Sequence, residues 1–188
     1  MSTKTVSSEQ NILNGVNVSQ LGETIHEVRK DPDIAHFIPK VRNQWHGGAL
    51  NKARVKDYYI AKENMQHKDT FEIQHDEPPI LLGEDRGANP VEVLLAALSG
   101  CMTTTLAVYS AAENRKLDSV ESEYEGDIDL QGFLGIDDGA HSGYNEIRVK
   151  FKVRGDATEE EIHEMVKNSP VYDTLRRPIQ IRIDVEKE

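Results

Sequence analysis

Apolar residues recur along this chain with two periods, and the switches between them predict the elements. Leu21, Ile25 and Val28 lie four and three apart behind Ser19, which predicts a helix with Ser19 as its N-cap and Asp31-Pro32 as its end. A short apolar stretch follows from Ile34 to Val41. Residues 41–76 read as strands, with Val55 to Ile60 and Thr70 to Ile73 as β-prone runs. Trp45-His46-Gly47-Gly48 is a turn signal between them. Asp76-Glu77-Pro78-Pro79 stops the last strand, and Gly83 to Ala88 reads as a loop.

The sharpest local signal is Asn89-Pro90-Val91-Glu92. Asn is a good N-cap, Pro suits the first helical position, and Glu three residues after the cap can return to the backbone. The helix predicted from there runs to about Asn114 and is apolar nearly all the way round. Leu94, Leu95, Leu98, Met102, Leu106 and Val108 do not keep to one stripe, so it needs cover on most sides. At about 35 Å it is long for one small chain to wrap, and a dimer that shares the covering is expected.

Beyond Lys116 the period falls back to two. Val120 to Leu130 alternates in part, and Gly132 to Gly143 reads as a loop. Ile147, Val149, Phe151 and Val153 alternate strictly with Arg148, Lys150, Lys152 and Arg154, which predicts a strand with one wet face. Thr158 to Glu161 forms a capping box that opens a helix. Ser169-Pro170 interrupts that helix and restarts it through Leu175, and Pro178 closes it. Ile179, Ile181, Ile183 and Val185 predict a last strand. Strands in consecutive runs favour an α+β fold with antiparallel sheets over a doubly wound one. Residues 1–10 are polar and are expected to be mobile.

Composition narrows the class. A chain of 188 residues can bury a core without disulfides or metals. A net charge of −11 argues against nucleic-acid and anionic-membrane partners. The start of the chain has no apolar run of the signal-peptide kind, and no stretch reaches the ~18 consecutive apolar residues of a membrane span. A cytoplasmic location is therefore expected, where the single cysteine, Cys101, stays reduced.

The run from Gly87 through Asn89-Pro90 to Ser99-Gly100-Cys101 resembles the signature of the OsmC/Ohr family, the osmotically inducible and organic hydroperoxide resistance proteins. Trp45 to Gly48, Asp76 to Pro79 with Gly83, Ile128 to Gly135, Ser169 to Leu175 and Pro178 to Ile181 are similar in order to its other segments. The resemblance divides the chain into a partly helical N-terminal extension, 1–40, and an OsmC-like domain, 41–188. It implies an intertwined homodimer, with curved antiparallel sheets around two long central helices that carry the cysteines. It also implies a thiolate that attacks a peroxide, a resolving cysteine, and an arginine and a glutamate that set the thiolate. Three positions depart from that pattern. Ser169 stands where the Cys-Pro resolving cysteine would be, Ala49 follows Gly47-Gly48 where an arginine often stands, and Glu92 comes one residue later than the usual acid.

The candidate site is therefore Cys101, with Glu92, Arg42 and Arg54 as catalytic candidates and Ser169, Met102 and Thr105 as pocket neighbours. Each has a plainer reading. Cys101 can be a small buried hydrophobe, Glu92 a capping carboxylate, Arg42 and Arg54 solvated strand charges, Ser169 an N-cap, and Thr105 a partner of its own helix backbone. The seven histidines form no i, i+4 pair. Gln74-His75-Asp76-Glu77 is a weak metal signal, and no metal or other cofactor is expected. Two functions follow. One is thiol-dependent reduction of an organic hydroperoxide by Cys101, reset by an external thiol. The other is a dimeric protein that binds a small apolar molecule, with Cys101 as packing.

Overall fold

The computed structural model describes residues 11–187; residues 1–10, expected above to be mobile, lie outside them. The chain forms two compact units, one made of residues 11–12 and 17–94, the other of residues 13–16 and 95–187. The short strands β1 (Ile12–Leu13) and β2 (Val16–Asn17) flank an Asn14-Gly15 turn with φ of 53° and 77°, the left-handed geometry this dipeptide favours.

In the first unit, helix α1 (Val18–Lys30) follows the predicted spacing of Leu21, Ile25 and Val28, but its cap is Asn17 rather than Ser19. The Asn17 side chain accepts the Gln20 N–H at 3.1 Å. Ser19 thus lies one residue inside the helix, and the hairpin delivers Asn17 to the capping position. Three antiparallel strands follow in the order β3 (Ile38–Trp45), β4 (Asn51–Ile60) and β5 (Glu63–His75). The Trp45 to Gly48 turn forms as predicted, with the His46 N–H on the Leu50 carbonyl at 2.9 Å. Arg42 pairs with Arg54, and Arg54 with Glu72, across the three strands. The strands run longer than their β-prone centres because pairing carries polar residues along with them.

Alternation gives this sheet two unlike faces. Val41, Trp45, Phe71 and Ile73 share register with Ala53 and Val55 on one face, while Arg42, Lys52, Arg54 and Glu72 share the other. Ala53 is buried, but Val41 is 60% and Trp45 71% exposed.

Helix α2 (Pro90–Ala112) spans 23 residues, as the capping signal predicted, and leads from the first unit into the second. The second unit holds a two-stranded ribbon, β6 (Leu117–Ile128) paired antiparallel with β7 (Tyr144–Gly155). A short α3 (Leu130–Phe133) lies in the connection, where a loop was expected to begin. Helix α4 (Glu159–Val166) opens on the complete Thr158–Glu161 capping box, and α5 (Pro170–Arg176) restarts at Ser169-Pro170. The core of this unit is Leu98, Met102 and Leu106 of α2 with Met165 and Val166 of α4. Tyr124, Ile147, Phe151 and Val153 of the ribbon pack against it.

One expectation fails in the C-terminal segment. The alternating segment Ile179 to Val185 forms no strand, and its four apolar side chains are 59–84% exposed. Alternation supplies a face for burial but no neighbouring edge, and without one a strand does not form. Helix α2 is long and apolar enough to cross a bilayer by length and composition, because Ser99, Gly100 and Thr103 to Thr105 interrupt its apolar run without adding charge. Its buried residues keep to Leu98, Met102, Thr105, Leu106, Ser110 and Ala111.

Candidate functional site

Cys101 sits midway along α2 and is half-buried. Three residues from Leu98, it lies about 60° round the helix from that core residue, on the flank of the buried stripe. The exposed Ala97, Gly100 and Thr104 lie on its other side. The thiol thus stands at the boundary between core and open helix surface, which is a position for neither a deeply buried hydrophobe nor a fully solvated group.

Its helix neighbours have defined tasks. The Thr105 hydroxyl donates to the Cys101 carbonyl at 2.8 Å, the return to the backbone that threonine makes inside helices. Met102 is buried, and the Tyr124 hydroxyl donates to its sulfur at 3.9 Å. Burial pushes the Tyr124 phenol up from its ordinary pKa, so it stays a neutral donor. Ser169 is fully buried and caps α5, accepting the Tyr172 N–H at 3.3 Å.

Glu92, Arg42 and Arg54 belong to the first unit, and each has a partner there. The Glu92 carboxylate accepts the Asn89 N–H at 3.0 Å, while the Asn89 side chain accepts the Val91 N–H at 2.8 Å. This reciprocal pair starts α2 as the sequence predicts. Arg42 lies 3.5 Å from Asp57 and is 87% exposed. Arg54 lies 3.1 Å from Glu72, which also takes Lys52 at 2.9 Å.

The segment ahead of α2 is more highly organised than its sequence suggests. Asp76 is 1% exposed and accepts backbone N–H groups from Glu77 at 2.9 Å, Glu84 at 3.3 Å and Arg86 at 3.1 Å. Burial pushes its carboxyl up, but the backbone donors of Arg86, Glu77 and Glu84, with the Arg86 guanidinium, together hold it below the usual carboxylate range. Gly83 and Gly87 complete the wrap, for a Cβ on either would run into the Glu77 or Gln74 backbone carbonyl. Glu77 in turn takes the Asn89 side-chain amide at the head of α2. The sequence pattern predicts a strand stop and a loop here, but not the carboxylate that orders them. The one available signal was an Asp before a Pro-Pro and Gly-rich stretch. His75 ends β5 with its Nδ1 buried and without a hydrogen-bond partner, rather than open to water. Among the described residues no metal-binding group of three His, Cys, Asp or Glu side chains comes together.

A mixed α+β chain with antiparallel sheets and a long cysteine-bearing helix is the class these features define. The family model of OsmC-like proteins matches residues 83–184, which include that helix and the core cluster of the second unit. The chain belongs to the OsmC family. Solved structures share the fold. An OsmC-like protein from Mycoplasma pneumoniae is 17% identical, with a TM-score of 0.55 over 73% of this chain and 86% of that one. A putative osmotic stress induced and detoxification response protein from Psychrobacter arcticus is 13% identical, with a TM-score of 0.53 over 71% and 85%. An organic hydroperoxide resistance protein OsmC from Legionella pneumophila, described as a predicted redox protein, is 15% identical, with a TM-score of 0.50 over 73% and 89%. No curated protein sequence matches this chain.

Proposed function

We propose that this OsmC-family chain reduces organic hydroperoxides through Cys101. The observation that carries the reading is the placement of its single thiol on the flank of the buried stripe of α2, within the family-matched residues. The Cys101 thiolate would attack the peroxide, forming an S–O bond as the O–O bond breaks. The departing alkoxide takes a proton and leaves as an alcohol. The resulting sulfenic acid condenses with an external thiol, releasing water and forming a mixed disulfide. A second external thiol frees Cys101 and leaves as the oxidised partner. Ser169 supports the external route, because a buried N-cap serine at the Cys-Pro position can form no disulfide.

The working form is proposed to be a homodimer. The support is the apolar surface that one chain leaves open: only 17% of the apolar stretch of α2 is buried, Trp45 and Phe71 are exposed on their sheet face, and among the described residues the Ile179 to Val185 segment has no strand beside it. A second copy would cover these surfaces with protein, bringing the two cysteine helices together at the centre.

The test is consumption of an organic hydroperoxide coupled to thiol oxidation. Cys101→Ser should abolish it, and peroxide treatment should add one oxygen to the wild-type chain alone. Peroxide consumption that survives Cys101→Ser would sink the proposal. The partners already held by Arg42, Arg54 and Glu92 favour a second reading, in which Cys101 packs and the paired helices bind a small apolar molecule. A thiol inert to hydroperoxide, together with saturable binding of an apolar dye, would select it.

A further inference from the structure

The chain carries a net charge of −11, yet the polar face of its three-stranded sheet is basic. A groove of about 570 Å³ on that face is lined by Lys40 and Arg42 of β3, Lys52, Arg54 and Lys56 of β4, and a single acid, Asp57. The sequence hides this cluster because the cations alternate with other residues on two strands separated by a turn. Pairing brings Arg42 directly opposite Arg54. Like charges in that position destabilise a sheet.

The compensation is incomplete. Glu72 is shared between Lys52 at 2.9 Å and Arg54 at 3.1 Å, and those two cations hold its carboxyl below the usual range. Arg42 reaches Asp57 only at 3.5 Å, and Asp57 also accepts from Gln66 at 2.8 Å. The remaining two cations have neutral acceptors. Lys40 donates to the Asn64 amide oxygen at 3.2 Å, and Lys56 to the His67 and Lys68 carbonyls at 2.6 and 3.1 Å. Of the five cations, three share two carboxylates, Asp57 in the groove lining and Glu72 beside it, and two are held by neutral acceptors.

We propose that this groove binds a small anion carrying two or more clustered phosphate or carboxylate groups. The volume falls within the ~300–1,000 Å³ of small-ligand sites. Two guanidinium groups side by side offer paired N–H donors in the geometry that oxyanions accept. The overall negative charge of the chain and the short reach of the patch disfavour a long polyanion such as nucleic acid. The groove lies wholly within the first unit.

Calorimetric titration of the full chain with pyrophosphate, and separately with citrate, tests this and distinguishes the two oxyanion types. Saturable binding of either, weakened by salt, is expected. Lys52→Gln and Arg54→Gln should each weaken it by about tenfold, the loss of one charge-assisted contact. Glu72→Gln should tighten it by roughly threefold, because it frees two cations, while Glu63→Gln on the same strand should change it less than about twofold. Circular dichroism confirms that each variant folds. Absence of saturable binding at millimolar pyrophosphate and citrate would overturn the proposal. So would equal effects of Glu72→Gln and Glu63→Gln, which would mean a diffuse field, or tighter binding of a single-stranded oligonucleotide than of either small anion.

Discussion

Asp76 and Arg86 are joined twice: the buried carboxylate accepts the Arg86 backbone N–H at 3.1 Å and its Nε–H at 3.4 Å. With Glu77 and Glu84 also donating, one side chain gathers the whole segment that precedes the cysteine helix. The next link is direct, since Glu77 holds the Asn89 side chain at the head of α2.

Removing that carboxylate should therefore loosen the head of the helix. The Asp76 pKa is lowered in the folded chain, so its contribution to stability is fully present above the unfolded carboxyl value of about 4 and is lost as pH falls through the lower folded value. Asp76→Asn should lower the melting temperature at pH 7 and flatten its fall on acidification. Hydrogen exchange at Glu84 and Arg86 should rise at the same time. Equal acid sensitivity in wild type and variant would show that Asp76 does not act as described.

Leu106 tests the other end of the same helix. It has no exposed surface and lies in the cluster formed with Leu98, Met102, Met165 and Val166. Leu106→Ala should cost about 2–5 kcal/mol, the usual range for truncating a buried leucine. Denaturant unfolding followed by circular dichroism measures it. A cost below about 1 kcal/mol would mean that the site collapses around the gap or that this core is not formed in solution.

Local signals proved legible wherever the physics is local. Asn89 and Glu92 close their reciprocal bonds, Thr158 and Glu161 form the complete capping box, and Ser169-Pro170 restarts a helix, because each needs only a few neighbouring residues. The family motif around Cys101 was legible for the same reason. What the sequence did not show depends on pairing between distant residues. Asp76 gathers donors up to ten positions away, and the basic face exists only once Arg42 and Arg54 lie opposite each other. Strict alternation at Ile147 to Val153 made a strand because β6 lies beside it, while equally strict alternation at Ile179 to Val185 made none.

That last contrast leads to the test of the dimer. Ile179, Ile181, Ile183 and Val185 present an apolar row 59–84% exposed, in the same unit as a sheet of only two strands. Two-stranded ribbons are marginal alone and gain from a third strand. If the segment pairs with a second copy, each side chain buried contributes about 1.5–3 kcal/mol, and both copies gain it. Light scattering should then report a dimer for the wild type, with a melting temperature that rises with protein concentration. Ile181→Asp with Ile183→Asp should shift the chain toward monomer and remove that concentration dependence, since charged side chains cannot enter an apolar face unpaired. Leu106→Ala serves as the control, because it weakens the core without touching the segment. A double variant that remains as dimeric as the wild type would place the contact between copies elsewhere.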